Sequence, residues 1–341
     1  MGGYNQSHHQ SNSVQPKSIT EMGIHSMAPV KSFPPMQARI NHLHYSEDGR
    51  HLIASSDDEA MTLYDCASGN FNRTINSKKY GANLVHFVRG SNDVITASTK
   101  IDSEFEENFH LTKPLDTIRY LSLSNNQYLR YFLISFRVVT LRMSPTEEMF
   151  LSGGMDNTIR LWDLRVSTCQ GVMNLPSLPI ASFDPEGLIF AVGMNSDTIK
   201  LYDVRTFDKG PFETFTIKQD DGNDAPWTNM SFSPDGRHIL VMTSGEYMRL
   251  VDAFSGDLVH TLVGHKNDKN IALTACFSPC SGYVFCGGTD TTVVSWNRDN
   301  GKPVNFYASD HTGPVEHVLF NPKYYVLASA CSHLRLWTPS D

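Results

Sequence analysis

The feature that most restricts this chain is a phrase that recurs from residue 40 onward. An apolar strand ends in a turn of the Ser-Pro-Asp-Gly kind. A strand of small and apolar residues follows, then a tight turn carrying Asp, then an alternating strand that closes on Trp-Asp or a relative. The clearest copy runs Met143-Ser144-Pro145, Phe150-Leu151-Ser152-Gly153-Gly154, Asp156, and Thr158-Ile159-Arg160-Leu161-Trp162-Asp163. The next runs from Phe183-Asp184-Pro185-Glu186-Gly187 to Ile199-Lys200-Leu201-Tyr202-Asp203. Five more end at Tyr64-Asp65, Leu121-Ser122, Val251-Asp252, Trp296-Asn297 and Trp337-Thr338. From Asp163 the closing position advances in steps of 40, 49, 45 and 41 residues.

A period of about 40–45 residues with this ending is that of WD-repeat blades, so the expected fold is all-β, a seven-bladed β-propeller spanning residues 30–341. Each blade is a four-stranded antiparallel sheet stacked on its neighbours. Strands buried on both faces tolerate Val, Ile, Leu, Ala, Ser and Gly, while the turns require Asp, Gly and Pro. Fourth strands are read at 71–77, 127–132, 169–175, 211–218, 257–263 and 302–308; the seventh copy has none before Asp341. An unclosed ring leaves an unpaired sheet edge. Residues 29–33 are therefore expected to supply the missing strand beside 334–337.

Residues 1–29 are rich in Ser, His, Gln, Asn and Met and read as a disordered polar tail. Two departures interrupt the repeat. Residues 103–115 insert into a hairpin of the second blade, which makes them a surface loop. At Leu133-Ile134-Ser135-Phe136 an apolar stretch replaces the usual Gly-His turn, removing the His that would support Asp156 and Trp162; it either packs down or exposes a small apolar patch.

Composition narrows the function. The net charge of −8 denies the chain the basic field that drives non-specific nucleic-acid binding, so no direct nucleic-acid partner is expected. No apolar run reaches membrane-spanning length, since 128–143 is broken by Arg130, Arg137 and Arg142. The first 37 residues lack the apolar core of a signal peptide, and the six cysteines show neither a framework nor a CxxC pair, so an intracellular, reducing setting is expected. No catalytic motif is present, and neither cofactor nor metal site is read. Asp156, Trp162, Asp163, Asp203, His265, Asp290, Trp296, His311 and Trp337 read as structural repeat residues.

Several phrases go beyond the generic repeat: Ser77-Lys78-Lys79-Tyr80-Gly81, residues 158–165 (TIRLWDLR), 183–191 (FDPEGLIFA), 207–212 (FDKGPF), 311–314 (HTGP) and 328–332 (ASACS). On these the chain resembles the family of WD repeat-containing protein 82 and Swd2 over about residues 38–338. It departs from that family in the N-terminal tail, at 103–115 and at 133–137. The resemblance implies a nuclear, chromatin-associated, noncatalytic scaffold, a monomeric propeller inside a hetero-complex. It would bind the N-terminal region of a SET-domain methyltransferase acting on histone H3 lysine four (a COMPASS complex) and link it to RNA polymerase II with a phosphorylated C-terminal domain. A second implied partner is a PNUTS-like phosphatase subunit. The resemblance also implies a hydrogen-bond set joining Asp, Trp and a preceding His, a role that His265 and His311 fit.

A phosphoserine reader needs Lys or Arg donors converging near an aromatic or backbone surface. Loops between blades and turns between second and third strands share one mouth of the ring. Lys78, Lys79, Tyr80, Lys100, Arg130 and Arg137 are expected there as partner-binding residues, although ordinary solvated rim side chains would look the same. The rival reading is a substrate receptor of a cullin-RING ubiquitin ligase, from the WDxR-type phrases Trp162-Asp163-Leu164-Arg165 and Tyr202-Asp203-Val204-Arg205.

Overall fold

Each of the first six phrases, with the strand that follows it, makes a four-stranded antiparallel sheet, and the seventh contributes three strands. The computed structural model describes residues 19–34, 36, 38–100, 116–134, 136–217 and 225–340. The insertion at 103–115 lies outside the described residues, as does Ser135.

A short helix, α1 (Glu21–His25), and β1 (Met27–Ser32) precede the blades. Blade one is β2 (Ile40–Tyr45), β3 (His51–Ser56), β4 (Ala60–Asp65) and β5 (Asn70–Asn76). Blade two is β6 (Asn83–Phe87), β7 (Val94–Ala97), β8 (Asp116–Ser122) and β9 (Gln127–Ile134). Blade three is β10 (Val138–Met143), β11 (Met149–Gly154), β12 (Thr158–Asp163) and β13 (Cys169–Asn174). Blade four is β14 (Ile180–Phe183), β15 (Ile189–Met194), β16 (Thr198–Asp203) and β17 (Glu213–Thr216). Blade five is β18 (Trp227–Phe232), β19 (His238–Thr243), β20 (Tyr247–Asp252) and β21 (Leu258–Val263). Blade six is β22 (Ala275–Phe277), β23 (Tyr283–Gly287), β24 (Thr292–Asn297) and β25 (Pro303–Ala308). Blade seven draws only β26 (His317–Phe320), β27 (Leu327–Ala330) and β28 (Leu334–Pro339) from the end of the chain.

Its fourth strand is β1, in the order β1-β28-β27-β26, with Met27 opposite Pro339 and Ser32 opposite Arg335. The ring is thus closed by the N-terminal segment, two residues earlier than 29–33. Pro29 is tolerated because β1 is the outer edge strand and its missing N–H is needed by no neighbour.

Residues 19–29 correct the tail reading. Thr20 caps α1 by accepting from the Gly23 amide at 3.2 Å, and Ile24 is fully buried. Tyr307 donates its hydroxyl to the Ile24 carbonyl at 2.7 Å, and Asn305 donates to the His25 carbonyl at 3.2 Å. Ile24 and Met27 join a cluster with Phe285, Val318, Tyr307 and Trp337, across blades six and seven. Two apolar anchors suffice where a cavity awaits them, and average composition does not register them.

The core is a set of such clusters between successive blades. Ile53, Met61 and Leu63 of blade one meet Val85, Phe87 and Val94 of blade two, for example. At the 133–136 break Ile134 is buried whereas Leu133 and Phe136 are 40% and 42% exposed, so part of the apolar stretch faces solvent. Among the described residues no helix is long and apolar enough to cross a membrane.

Candidate partner-binding rim and central channel

Backbone bonds separate the two mouths of the ring. On one, Asp57 donates to the Arg39 carbonyl at 2.9 Å, Thr99 to Tyr80 at 3.0 Å, and Met155 to Arg137 at 2.9 Å. These tie each inter-blade loop to the turn between second and third strands. On the other, Cys66 donates to Arg50 at 2.7 Å and Leu164 to Glu148 at 2.8 Å, tying first turns to third turns. Lys78, Lys79, Tyr80, Lys100 and Arg137 all belong to the first mouth.

Arg130 does not. It lies within β9 opposite Tyr120, and its guanidinium is 3.4 Å from Ser167 Oγ, in the turn between β12 and β13. At about 3.3 Å per residue it is roughly 13 Å short of the mouth-side end of β9 at Ile134. The strand expected at 127–132 is present, but Arg130 sits far enough along it that its side chain serves the outer flank.

The Lys78–Tyr80 loop is rigid for local reasons. The Ser77 carbonyl accepts from the Tyr80 and Gly81 amides, while Ser77 Oγ donates to the Gly81 carbonyl at 2.8 Å. Gly81 has φ +73°, and a Cβ there would overlap the Thr99 hydroxyl, so glycine is required twice over. Lys100 Nζ reaches the Lys78 carbonyl at 2.7 Å and Glu59 Oε1 at 2.5 Å. It braces the loop, and its charge is partly balanced.

Beneath this loop lies a residue that sequence reasoning missed. Arg119 of β8 is fully buried, and its guanidinium stacks 3.2 Å from the Tyr80 ring centre, with Tyr131 at 4.9 Å and Tyr128 at 5.3 Å. Its Nε donates to Ser98 Oγ at 3.3 Å. Lys79 Nζ is 5.1 Å from the same Tyr80 ring, so that ring interacts with two cations, a favourable arrangement for an aromatic quadrupole. The recurring cation of the third strand was the available signal: Arg160, Lys200 and Arg249 occupy matching positions. In blade three Arg160 pairs with Asp156 at 2.7 Å; in blade two the equivalent cation meets three tyrosines. Beside the rim, a groove of about 600 Å³ runs between the 33–36 segment and blade one, lined by Phe33, Met36, Tyr64, Phe71 and Lys78.

The repeat residues divide into different bonding patterns. Trp162 donates to Ser152 Oγ at 2.8 Å, and Asp156 accepts from Thr158 Oγ1 at 2.8 Å. Trp337 donates to Ser329 Oγ at 2.8 Å, with His311 Nε2 2.7 Å from the same oxygen. His265 departs from the expected set. Trp296 donates instead to the Val263 carbonyl at 2.8 Å, His265 sits edge-on to its ring at 5.9 Å, and Asp290 accepts from Thr292. Blade six thereby bonds its tryptophan to the last strand of blade five, which leaves the ring nitrogen no hydrogen for a His-linked set. Asp203 accepts from the Arg205 amide at 2.7 Å, and Asp163 takes Arg165 Nη2 at 2.6 Å. Those Arg165 bonds hold the Asp163 carboxyl below the usual range.

The inner strands line a channel that the sequence reading also passed over. His86 lies 4.8 Å from His42 and 4.5 Å from His44, ring centre to ring centre. His42 Nδ1 is 3.0 Å from the Val85 carbonyl, His44 Nδ1 accepts from the Phe87 amide at 3.1 Å, and His317 Nδ1 is 3.1 Å from Thr274 Oγ1. Each contact joins neighbouring blades. Burial pushes His44 and His317 down to about 4, and His42 and His86 well below the ordinary value. Burial likewise lowers Arg142, to about 10; it donates to Asn229 across the channel.

A pH dependence follows. Unfolded imidazoles take up protons near 6.5, whereas these folded rings resist until about 4. Between those values the unfolded chain binds more protons, so stability is complete above about 6.5 and falls as pH drops through that window. At about 1.4 kcal/mol per pH unit the His44 shift is worth roughly 3 kcal/mol below both values. Melting curves from pH 7.5 to 4 are expected to show this decline, and His44→Gln to flatten part of it. A melting temperature constant between pH 6.5 and 4.5 would contradict the account.

The model of the WD domain, G-beta repeat, matches residues 132–163 and 256–297. The chain is 48% identical to WD repeat-containing protein 82 of Drosophila melanogaster, over 93% of this chain and 96% of that one. It is 38% identical to the Set1 complex component swd2 of Schizosaccharomyces pombe, covering 79% and 74%. With the COMPASS component SWD2 of Saccharomyces cerevisiae it shares 32% identity, covering 92% and 95%.

Proposed function

Since this chain belongs to the family of WD repeat-containing protein 82 and Swd2, we propose that it is a noncatalytic scaffold subunit of a nuclear, COMPASS-type histone H3 lysine-four methyltransferase. The observation that carries this reading is similarity to a Set1 complex component over about three quarters of each chain, and to a COMPASS component over more than nine tenths of each. Its partner is the N-terminal region of the SET-domain enzyme. Coexpression of the full chain with that region is expected to yield a stable one-to-one complex on size exclusion. Separate elution of the two would defeat the proposal.

The finer part of the reading links this complex to RNA polymerase II through its phosphorylated C-terminal domain, and shares the subunit with a PNUTS-like phosphatase complex. The rim of Lys78, Lys79, Tyr80 and Arg137, with Arg119 beneath and Lys100 as brace, supports the first link. Lys79 stands over the Tyr80 ring, with Lys78 and Arg137 on the same mouth, and a charge-assisted bond to phosphate contributes about 1.5–3 kcal/mol. In fluorescence polarisation, the combined variant Lys78→Glu, Lys79→Glu, Arg137→Glu is expected to bind a serine-phosphorylated heptad peptide at least about tenfold more weakly. Its melting temperature should match the parent's. Equal binding by parent and variant would remove the rim from the reading.

A further inference from the structure

Blade seven holds its histidine in a different setting from the rest. His311, Cys331 and His333 come together at the first mouth, and all three are buried. Cys331 Sγ is 3.1 Å from His311 Nδ1 and 3.3 Å from His333 Nδ1, and the three donor atoms lie within 4.8 Å of one another. Among the described residues this is the one such group of three donors. From these distances the geometry points to a zinc site made of the Cys331 thiolate and the two Nδ1 atoms, with water in the fourth position.

Zn–S bonds of about 2.3 Å and Zn–N bonds of about 2.0–2.1 Å set tetrahedral donor atoms roughly 3.4–3.6 Å apart. The observed separations from sulfur are already close to that, so the rings need only settle around the ion. Zinc entry displaces the Cys331 proton to solvent as the S–Zn bond forms; no electron is transferred.

The surrounding groups prepare His311 for this role. Its Nε2 lies 2.7 Å from Ser329 Oγ, an oxygen that also accepts from Trp337. Zinc at Nδ1 requires the ring proton on Nε2, where Ser329 Oγ is placed to accept it, the part played by the outer partner of a metal-bound histidine. On the far side of His333, Arg335 Nε is 3.4 Å from Nε2, at the long limit of a hydrogen bond. Zinc at Nδ1 puts the His333 proton on Nε2, so Arg335 Nε–H must turn away from that nitrogen, giving up a contact already at the long limit. Arg335 is itself turned toward Asp310, donating to its carbonyl at 3.0 Å and lying 3.6 Å from its carboxylate, which offsets its repulsion of a cation.

The site also bears on ring closure. The Cys331 and Ser332 carbonyls accept from the Ile40 and Met36 amides, both at 2.8 Å. An ion here would clamp the turn on which the N-terminal strap is tied.

The test uses untagged full-length protein, treated with chelator, desalted and titrated with zinc chloride or cobalt chloride under reducing conditions. One equivalent of zinc is expected to remain through gel filtration and to raise the melting temperature; cobalt should produce a thiolate-to-cobalt charge-transfer band. Cys331→Ser is expected to lose both the equivalent and the band. His333→Asn keeps the thiol and a comparable side-chain size, and should weaken zinc at least about tenfold with its apo melting temperature unchanged. A parent protein retaining no zinc, a band that survives Cys331→Ser, or unaltered affinity in a folded His333→Asn would each overturn the site.

Discussion

A chain lacking residues 1–34 is expected to lose at least about 5 kcal/mol of stability, a third or more of what an ordinary domain possesses. The deletion removes β1 and with it every backbone bond that β28 makes on its outer side. It also removes three buried side chains, Ile24, Met27 and Phe33. Burial of each is worth about 1.5–3 kcal/mol. Their removal leaves holes in the cluster that joins blades six and seven and in the one that joins blades seven and one. Urea unfolding is the measurement, and a lower slope as well as a lower midpoint is expected, because blade seven would already be partly exposed. Ile24→Asp combined with Met27→Asp should reproduce much of the effect without shortening the chain. An unchanged midpoint in the deletion would mean that the ring does not depend on its strap.

Trp296→Ala is expected to cost about 3–5 kcal/mol, while Trp296→Phe should cost about 1 kcal/mol. The ring is fully buried at the junction of blades five and six, in a cluster with Leu250, Leu262 and Val284. Truncation opens a cavity there and also leaves the Val263 carbonyl without the indole N–H it accepts. Phenylalanine restores most of the volume and forfeits only that bond. The ratio of the two losses separates packing from hydrogen bonding. If His265→Ala proved as costly as Trp296→Ala, the indole would be held by a His-linked set after all, contrary to the Val263 bond.

The blades were legible in the sequence because their strands repeat at a fixed spacing and their turns need particular residues. Asp65, Asp163, Asp203 and Asp252 all close a third strand, as the alternation before them predicts. The missing fourth strand of blade seven could be inferred from an edge that has to be paired. What pairs and packs across distance was less legible. Ile24 is one apolar residue among polar ones, and only the cavity it fills distinguishes it from a tail residue. Arg119 looks like any strand cation until Tyr80, Tyr128 and Tyr131 are brought around it from a loop and a neighbouring strand. The channel histidines escaped for the same reason: His42, His86 and His317 are far apart in sequence and meet only where inner strands converge. Arg130 shows another kind of miss: its strand was legible, but the distance along that strand carries the side chain away from the first mouth. Lys78, Lys79 and Tyr80 stand out in sequence because they sit in one phrase, whereas their packing against Arg119 is visible only in three dimensions.

Affinity purification of the full-length protein from nuclear extract, with mass spectrometry of what accompanies it, tests the central claim most directly. The account predicts a SET-domain methyltransferase and its complex partners in near-stoichiometric amounts, unaffected by Arg165→Ala and Arg205→Ala. Recovery of cullin-ligase adaptors in their place, lost with those same two substitutions, would contradict it.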